Sequence, residues 1–229
     1  IFIVGMPRSG TTLVESIISL NEKVQDLGET NIFEKAYQES IKNDQELSLT
    51  NLYVQKIEEL GINSSITTNK WLYNYLYAGI IANQISNSKI IHCLRNPLDN
   101  ILSITRANFS TGNSYSSSLE DCTKVYINQK KVMNTYKNLF SSSIYEMDYD
   151  LLVTNPEPTI KSLIKWLGWQ WNENYLSPHK NQRTVLTSSD VQIRSPINPK
   201  SIGGWKNYKN MLKPAMSILS ATDQFQDVI

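Results

Sequence analysis

Ile1-Phe2-Ile3-Val4-Gly5-Met6-Pro7-Arg8-Ser9-Gly10-Thr11-Thr12 is the stretch that decides the fold. Its first four residues form a continuous apolar run stopped by a Gly/Pro-containing loop, the pattern of a buried parallel strand. From Thr11 to Leu20 the apolar Leu13, Ile17, Ile18 and Leu20 recur at helical spacing. The order is strand, loop, helix. Glycines five positions apart let the loop curl so that backbone N–H groups face an anion, and the helix N-terminus adds partial positive charge. A loop for magnesium-bound ATP ends in Gly-Lys-Ser/Thr, with the lysine on the phosphates and the hydroxyl on the metal. Here Thr11 takes the lysine position and a cation, Arg8, sits inside the loop. The loop therefore suits an anion other than Mg-ATP. A plain strand-to-helix turn packed with small residues has the same glycine spacing. The cluster of Arg8, Ser9, Thr11 and Thr12 at a helix start favours the anion site.

Outward from this loop the strand-to-helix pattern recurs. Lys89 to Leu94 reads as a strand, Pro97 suits a first helical position, and Leu98, Ile101, Leu102 and Thr105 follow at helical spacing. Val24 to Gly28, Ile66 to Thr68 and Ile144 to Met147 are further strand candidates. Tyr53 to Leu60, Leu72 to Ile85 and Ser118 to Leu139 read as helices. Thr159 to Leu167 reads as another, opened by Asn155-Pro156 and closed by Gly168. Ser110 to Ser118 reads as a loop, and the chain beyond Trp171 as irregular until about Pro214. Strands alternating with helices give the α/β class: a P-loop-type parallel sheet flanked by helices, in one domain over residues 1–229. The chain opens on a strand without an initiator methionine, so it is expected to be a fragment of a longer chain.

Composition narrows the function classes. With 40% hydrophobic and 19% charged residues the chain is globular rather than disordered. A formal charge of +1 argues against a nucleic-acid surface, so any nucleotide site must be local. Cys93, Cys122, His92 and His179 are its only cysteines and histidines, too few for a disulfide framework or a Cys- or His-rich metal cluster. No metal is expected. No apolar run approaches the roughly 20 residues of a membrane helix. Oligomeric state is not legible.

Pro7 to Thr12 resembles the 5'-phosphosulfate loop of sulfotransferases that use 3'-phosphoadenosine-5'-phosphosulfate (PAPS). Cytosolic members usually carry lysine where this chain has Arg8. Arginine points to the tyrosylprotein sulfotransferases and the bacterial relatives with tetratricopeptide repeats. Leu94-Arg95-Asn96-Pro97, with Ser103 eight positions after Arg95, resembles the family's 3'-phosphate motif. Gly28-Glu29-Thr30 lies where the tyrosylprotein branch carries its catalytic glutamate, and Asn69-Lys70 matches that branch's Asn-Lys pair. Asp148-Tyr149-Asp150-Leu151 is similar to its Tyr-Glu-x-Leu segment, and Ser188-Ser189-Asp190 with Arg194 to its Ser-x-Asp segment and following basic residue. The likeness runs from Ile1 to about Trp205. Two positions depart from it. Asn31 stands where the tyrosylprotein branch has a substrate-side arginine, and Gly204 where bacterial relatives have a basic residue that Lys200 or Lys206 would have to replace.

The resemblance implies a sulfotransferase-like fold, PAPS as co-substrate and 3'-phosphoadenosine-5'-phosphate (PAP) as product. Pro7, Ser9, Gly10, Thr11 and Thr12 would hold the 5'-phosphate, and Arg8 and Lys70 would neutralise the leaving phosphate. Arg95 and Ser103 would read the 3'-phosphate, with Tyr149 and Arg194 as further nucleotide contacts. Ser188 would polarise the bridging oxygen. Cytosolic sulfotransferases use a histidine base between their phosphate motifs; this chain has none from Gly10 through Ile91, which leaves Glu29. Each residue also has a plainer reading. Glu29 suits a helix start, Lys70 a solvated surface, and Arg95 a sheet end capped through backbone contacts. Ser103 could be an ordinary helix serine and Tyr149 core. His92 reads as a core histidine, His179 as surface, and Trp166, Trp169 and Trp171 as core at a helix end. The acceptor is a hydroxyl on a sugar, lipid, peptide tyrosine or small molecule. The compartment would be cytoplasm for a bacterial enzyme and Golgi lumen for a eukaryotic tyrosylprotein-type one. The alternatives are a catalytically silent PAP-binding module and a P-loop nucleotide kinase.

Overall fold

The apolar runs at Phe2 and Ile90 become strands, and every strand pair among the described residues is parallel. The computed structural model describes residues 1–42, 48–107, 109, 112–181, 194–222 and 225. Strand β1 (Phe2–Gly5) leads into helix α1 (Thr11–Ile18), then β2 (Val24–Asp26), α2 (Ile32–Lys42), α3 (Leu49–Glu58) and β3 (Ile66–Thr68). A 3₁₀ turn (Leu72–Tyr77) precedes α4 (Ala78–Gln84), β4 (Ile90–Leu94), α5 (Pro97–Thr105), α6 (Leu119–Leu139) and β5 (Ile144–Asp148). Helices α7 (Tyr149–Thr154), α8 (Pro156–Leu167) and α9 (Lys209–Ser220) complete the order.

In one sheet β4 lies between β1 and β5, with Phe2 opposite Ile90 and Ile90 opposite Ile144. Strands β2 and β3 pair with each other, Val24 opposite Ile66. Asn69, just past β3, joins the two sheets: its N–H donates to the Ile1 carbonyl at 2.9 Å, and its carbonyl accepts from the Ile3 N–H at 2.9 Å. The strand order is therefore β2-β3-β1-β4-β5. Alternation sorts the faces. Phe2, Val4, Ile90 and Ile144 pack with α2, α3, α4 and Met133 of α6. Ile3, Ile91, Cys93 and Met147 pack with Val14, Ile17 and Ile18 of α1 and Ile160, Leu163 and Ile164 of α8. Helix α5 joins α6 and α9 through Leu98, Ile101, Leu212 and Ala215. Thus α1 and α5 leave adjacent strands toward opposite faces, and the crevice between them is a topological switch point, where open α/β sheets bind ligands.

Helix ends follow their capping residues. Asn96 accepts from the Leu98 and Asp99 N–H groups with Pro97 at N1, Ser118 accepts from Asp121 N–H, and Gly168 closes α8 in the left-handed conformation. Several expectations need correction. Helix α3 starts at Leu49 because Ser48 caps it, four residues before the expected start at Tyr53. Residues 72–85 form a 3₁₀ turn followed by a short helix rather than one helix. Helix α2, not expected from the sequence, buries only Ile32, Phe33 and Ala36, with Tyr37 partly buried and Ile41 exposed, so its apolar signal is faint. Helix α9 begins at Lys209 and carries Pro214 inside it, so regular structure resumes before Pro214.

Candidate active site

The phosphate loop is shaped by close backbone approach. Gly5 lies where a Cβ would come within 2.7 Å of the Cys93 carbonyl of β4. Gly10, at φ 95, N-caps α1, and a Cβ there would stand 2.5 Å from the Tyr149 ring. Arg8 holds φ 65, a left-handed conformation that a non-glycine residue adopts at a cost. Gly10, the N-cap residue, has no side chain to cap α1, so among the described residues the helix start offers its first-turn N–H groups to solvent or a ligand. Thr11 and Thr12 are buried, as is Ser9, whose hydroxyl finds no hydrogen-bond partner among the described residues. A cradle that a Cβ would fill, uncapped amides and an unpaired buried hydroxyl fit an anion.

The loop and the segment after β4 form one assembly. Arg95 donates from Nη1 to the Arg8 carbonyl at 2.9 Å and from Nη2 to the Ser201 carbonyl at 2.7 Å. Its guanidinium stacks on Tyr149, 4.8 Å from the ring centre, and its buried Nε has no partner among the described residues. The Arg8 Nε donates to the Ser103 hydroxyl at 3.2 Å. Burial, then the neighbouring Arg95 charge, lowers the pKa of Arg8, so the site holds two cations in close company. Asn100 donates to the Pro7 carbonyl at 2.9 Å, and the Tyr126 hydroxyl to the Arg95 carbonyl at 2.9 Å. A cleft of 610 Å³ opens along Arg8, Gly10, Thr11, Thr12, Arg95 and Tyr149. A second, of 430 Å³, shares Arg8, Arg95, Lys200 and Ser201 with it and extends along Ser103.

Glu29 and Lys70 meet at the carboxyl ends of β2 and β3. The Lys70 ammonium donates to Glu29 Oε1 at 2.5 Å; the Lys70 side chain is 1% exposed and that of Glu29 40%. Asn69 fixes the approach. Its amide donates to the Thr30 carbonyl at 3.2 Å, and its oxygen accepts from Trp71 N–H at 3.1 Å and Asn74 Nδ2 at 2.7 Å. The Lys70 N–H donates to the Gly28 carbonyl at 2.9 Å, tying the two segments together. Burial raises the Cys93 pKa and the Lys70 charge opposes that shift.

Most of the expected site residues converge. Arg8, Ser9, Gly10, Thr11, Thr12, Arg95, Ser103 and Tyr149 surround the two clefts or the loop between them, and Pro7 is held in that loop by Asn100. Arg194 donates to the Asn181 carbonyl at 3.1 Å, and the following Ser195 to Asn198, rather than Arg194, line the larger cleft. Ser188, with Ser189 and Asp190, lies outside the described residues. Lys200 lines both clefts and Lys206 neither. His92 is buried, 3.0 Å from Gln129 Nε2, and burial, reinforced by Lys130, lowers its pKa to about 3. His179 is half-buried in a 3₁₀ turn rather than free on the surface, and the three tryptophans are only partly buried. Sequence reasoning missed Asp99 and Asn100. Asp99 accepts from the Gly203 N–H at 2.6 Å and the Trp205 N–H at 2.9 Å. The available signal was Asp99 and Asn100 set between Leu98 and Ile101 in a helix of mostly apolar residues.

Comparison with known proteins places the chain in a family. A profile of the sulfotransferase family matches residues 1–48 and 35–173, and the chain belongs to that family. An "Uncharacterized protein" of Aquifex aeolicus (strain VF5) is 30% identical over 242 residues, 96% of this chain and 32% of that protein. "Protein-tyrosine sulfotransferase 2" of Gallus gallus is 21% identical over 231 residues, 90% of this chain and 62% of that protein. The chain thus spans about a third of the first relative and under two thirds of the second. Among solved structures, the sulfotransferase domain of the Synechococcus PCC 7002 olefin synthase superposes with TM-score 0.65 at 15% identity, covering 95% of this chain and 93% of that one. Mouse sulfotransferase SULT7A1, solved with PAP, gives TM-score 0.63 at 17% identity, covering 100% of this chain and 86% of that one. These likenesses show the parallel α/β fold.

Proposed function

We propose that this chain moves a sulfuryl group from PAPS to an acceptor hydroxyl. The observation that carries the reading is the pair of adjoining clefts sharing Arg8, Arg95, Lys200 and Ser201. One runs along the phosphate loop and the other along Ser103, so a nucleotide with phosphates at both ends of its ribose matches two cationic sites. The mouse neighbour's PAP complex supports the same choice of nucleotide.

In this reading the α1 amides with Thr11 and Thr12 hold the 5'-phosphate, and Tyr149 and Arg95 wall the nucleotide cleft. The acceptor oxygen forms a bond to sulfur while the bond from sulfur to the bridging phosphate oxygen breaks, leaving PAP. Glu29 takes the acceptor proton. Arg8 and Lys70 meet the charge that grows on the leaving phosphate; fixed cations of this kind act strongly where water is excluded. Lys70, held by its backbone and by Glu29, needs little reorganisation for that task. The chicken relative is named for protein tyrosine. Asn31 replaces the arginine expected of that branch, so any hydroxyl acceptor is admitted by this reading.

Glu29→Gln tests the role of the base. PAP affinity should stay within a few-fold of the parent, while PAP release from PAPS in the presence of acceptor falls by about 10²–10⁴-fold. A fully active variant, or one that no longer binds PAP, defeats the assignment.

A further inference from the structure

We infer that the acceptor is an uncharged sugar, held by a neutral aromatic wall that begins at the residue after Lys70. The inference rests on the proposed sulfuryl transfer and narrows its acceptor from any hydroxyl to one class.

Lys70 passes directly into Trp71, whose N–H donates to the Asn69 oxygen at 3.1 Å, so the wall and the Glu29–Lys70 pair share one anchor. Trp71 and Tyr73 pack ring to ring, with centres 5.5 Å apart and planes tilted by 55°. The Tyr73 hydroxyl donates to the Gly112 carbonyl and lies 3.3 Å from Asn113 Oδ1. The Tyr115 hydroxyl donates to that same oxygen at 2.9 Å. The segment after β3 is thereby closed against the 3₁₀ turn Ser114–Ser117 that precedes α6. Burial, then the neighbouring Tyr73, raises the pKa of Tyr75 and of Tyr115, which sets the three hydroxyls in one neighbourhood. Trp71, Tyr73, Tyr75, Asn113 and Tyr115 are each only partly buried, so part of each is open to a ligand.

The chemistry of this wall selects the acceptor class. Aromatic faces with polar tips suit a ligand that presents a C–H face and hydroxyls together. Trp71 Nε1 is buried without a hydrogen-bond partner among the described residues, a donor that a ligand oxygen would satisfy. The Tyr73 and Tyr115 hydroxyls already donate, and their oxygens keep lone pairs that accept from a ligand. A sugar meets these groups with hydroxyls other than the one that reacts. The reacting oxygen bonds to sulfur as its proton passes to Glu29. A phenol, a tyrosyl side chain or an alkyl alcohol has a single hydroxyl, which goes to Glu29 and leaves the polar groups of the wall unmatched. The wall is uncharged and Lys70 is engaged by Glu29, so an acidic acceptor meets the Glu29 carboxylate and finds no counter-charge in the wall.

Initial rates of label transfer from radiolabelled PAPS decide the class. Methyl hexosides should be sulfated with kcat/KM about tenfold or more above a phenol, a tyrosyl peptide, a long-chain alcohol and the matching uronoside. Tyr73→Phe and Trp71→Phe keep a ring and remove one polar group each. Each should raise KM for the hexoside about tenfold, with kcat and PAP affinity close to the parent's. A preference for the phenol, peptide, alcohol or uronoside overturns the assignment. So do variants that leave KM unchanged, or that lower kcat alike for every acceptor. PAP that binds in calorimetry while label reaches no hexoside overturns it as well. If PAP does not bind, the proposed function has failed and the assignment falls with it.

Discussion

Arg95 carries more of the site than its motif position implies. Its guanidinium holds the Arg8 carbonyl on one side and the Ser201 carbonyl on the other while stacking on Tyr149. The backbone-capping reading is therefore what the contacts show, and the proposed phosphate contact would fall on the same residue, which lines both clefts. Arg95→Ala should weaken PAP by about ten- to a hundredfold, and AMP as well, by several-fold, because both clefts lose a wall. Titration of both ligands checks this; unchanged AMP binding would mean that the carbonyl bonds do not shape the nucleotide cleft. At this scale the meeting of the loop with Arg95 and Ser103 was legible, because both lie in short strand-to-helix motifs at the same ends of parallel strands. Asp99 and Asn100 were not. Their partners, Gly203, Trp205 and Pro7, lie about a hundred positions away in sequence, and only the folded chain brings them together.

Elements with a strong period or a recognisable cap could be read directly, as α5, α6 and α8 show; α2 and the 3₁₀ turn, with few buried residues or a changing period, could not. The packing of α6 against β4 adds a pH dependence that no motif announces. His92 of β4 is buried beside Gln129 and faces Lys130 and Glu146, and burial lowers its pKa to about 3. The unfolded chain then binds a proton near pH 6.5 that the folded chain refuses. Stability is full above that pH and falls as pH drops from about 6.5 toward 3, by up to about 1.4 kcal/mol per unit. Burial raises the Glu146 pKa, but Lys130, with His92 and Lys137, outweighs it and leaves a net lowering, so its protonation adds a loss in the same direction at lower pH. Thermal unfolding between pH 7 and pH 5 should lose less stability in His92→Gln than in the parent. Equal slopes would show that His92 does not control the transition.

At the scale of the whole molecule, a sheet ordered β2-β3-β1-β4-β5 sends α1 and α5 to opposite faces and sets the phosphate loop beside Arg95. The same sheet brings Glu29 and Lys70 to the ends of neighbouring strands. Strand alternation and the first loop made the α/β class legible; the joining of the two sheets through Asn69 depends on pairing that no local pattern encodes. The central claim is sulfuryl transfer assisted by Arg8 and Lys70, with Thr11 where a magnesium-ATP loop has lysine. Its most direct test is transfer of label from radiolabelled PAPS to sugar, lipid, tyrosyl-peptide and phenolic acceptors, with and without excess EDTA. Acceptor-dependent transfer, matched by PAP release, is expected at the same rate in chelator. Label that leaves PAPS for none of these acceptors, or transfer abolished by EDTA and restored by magnesium, would contradict it.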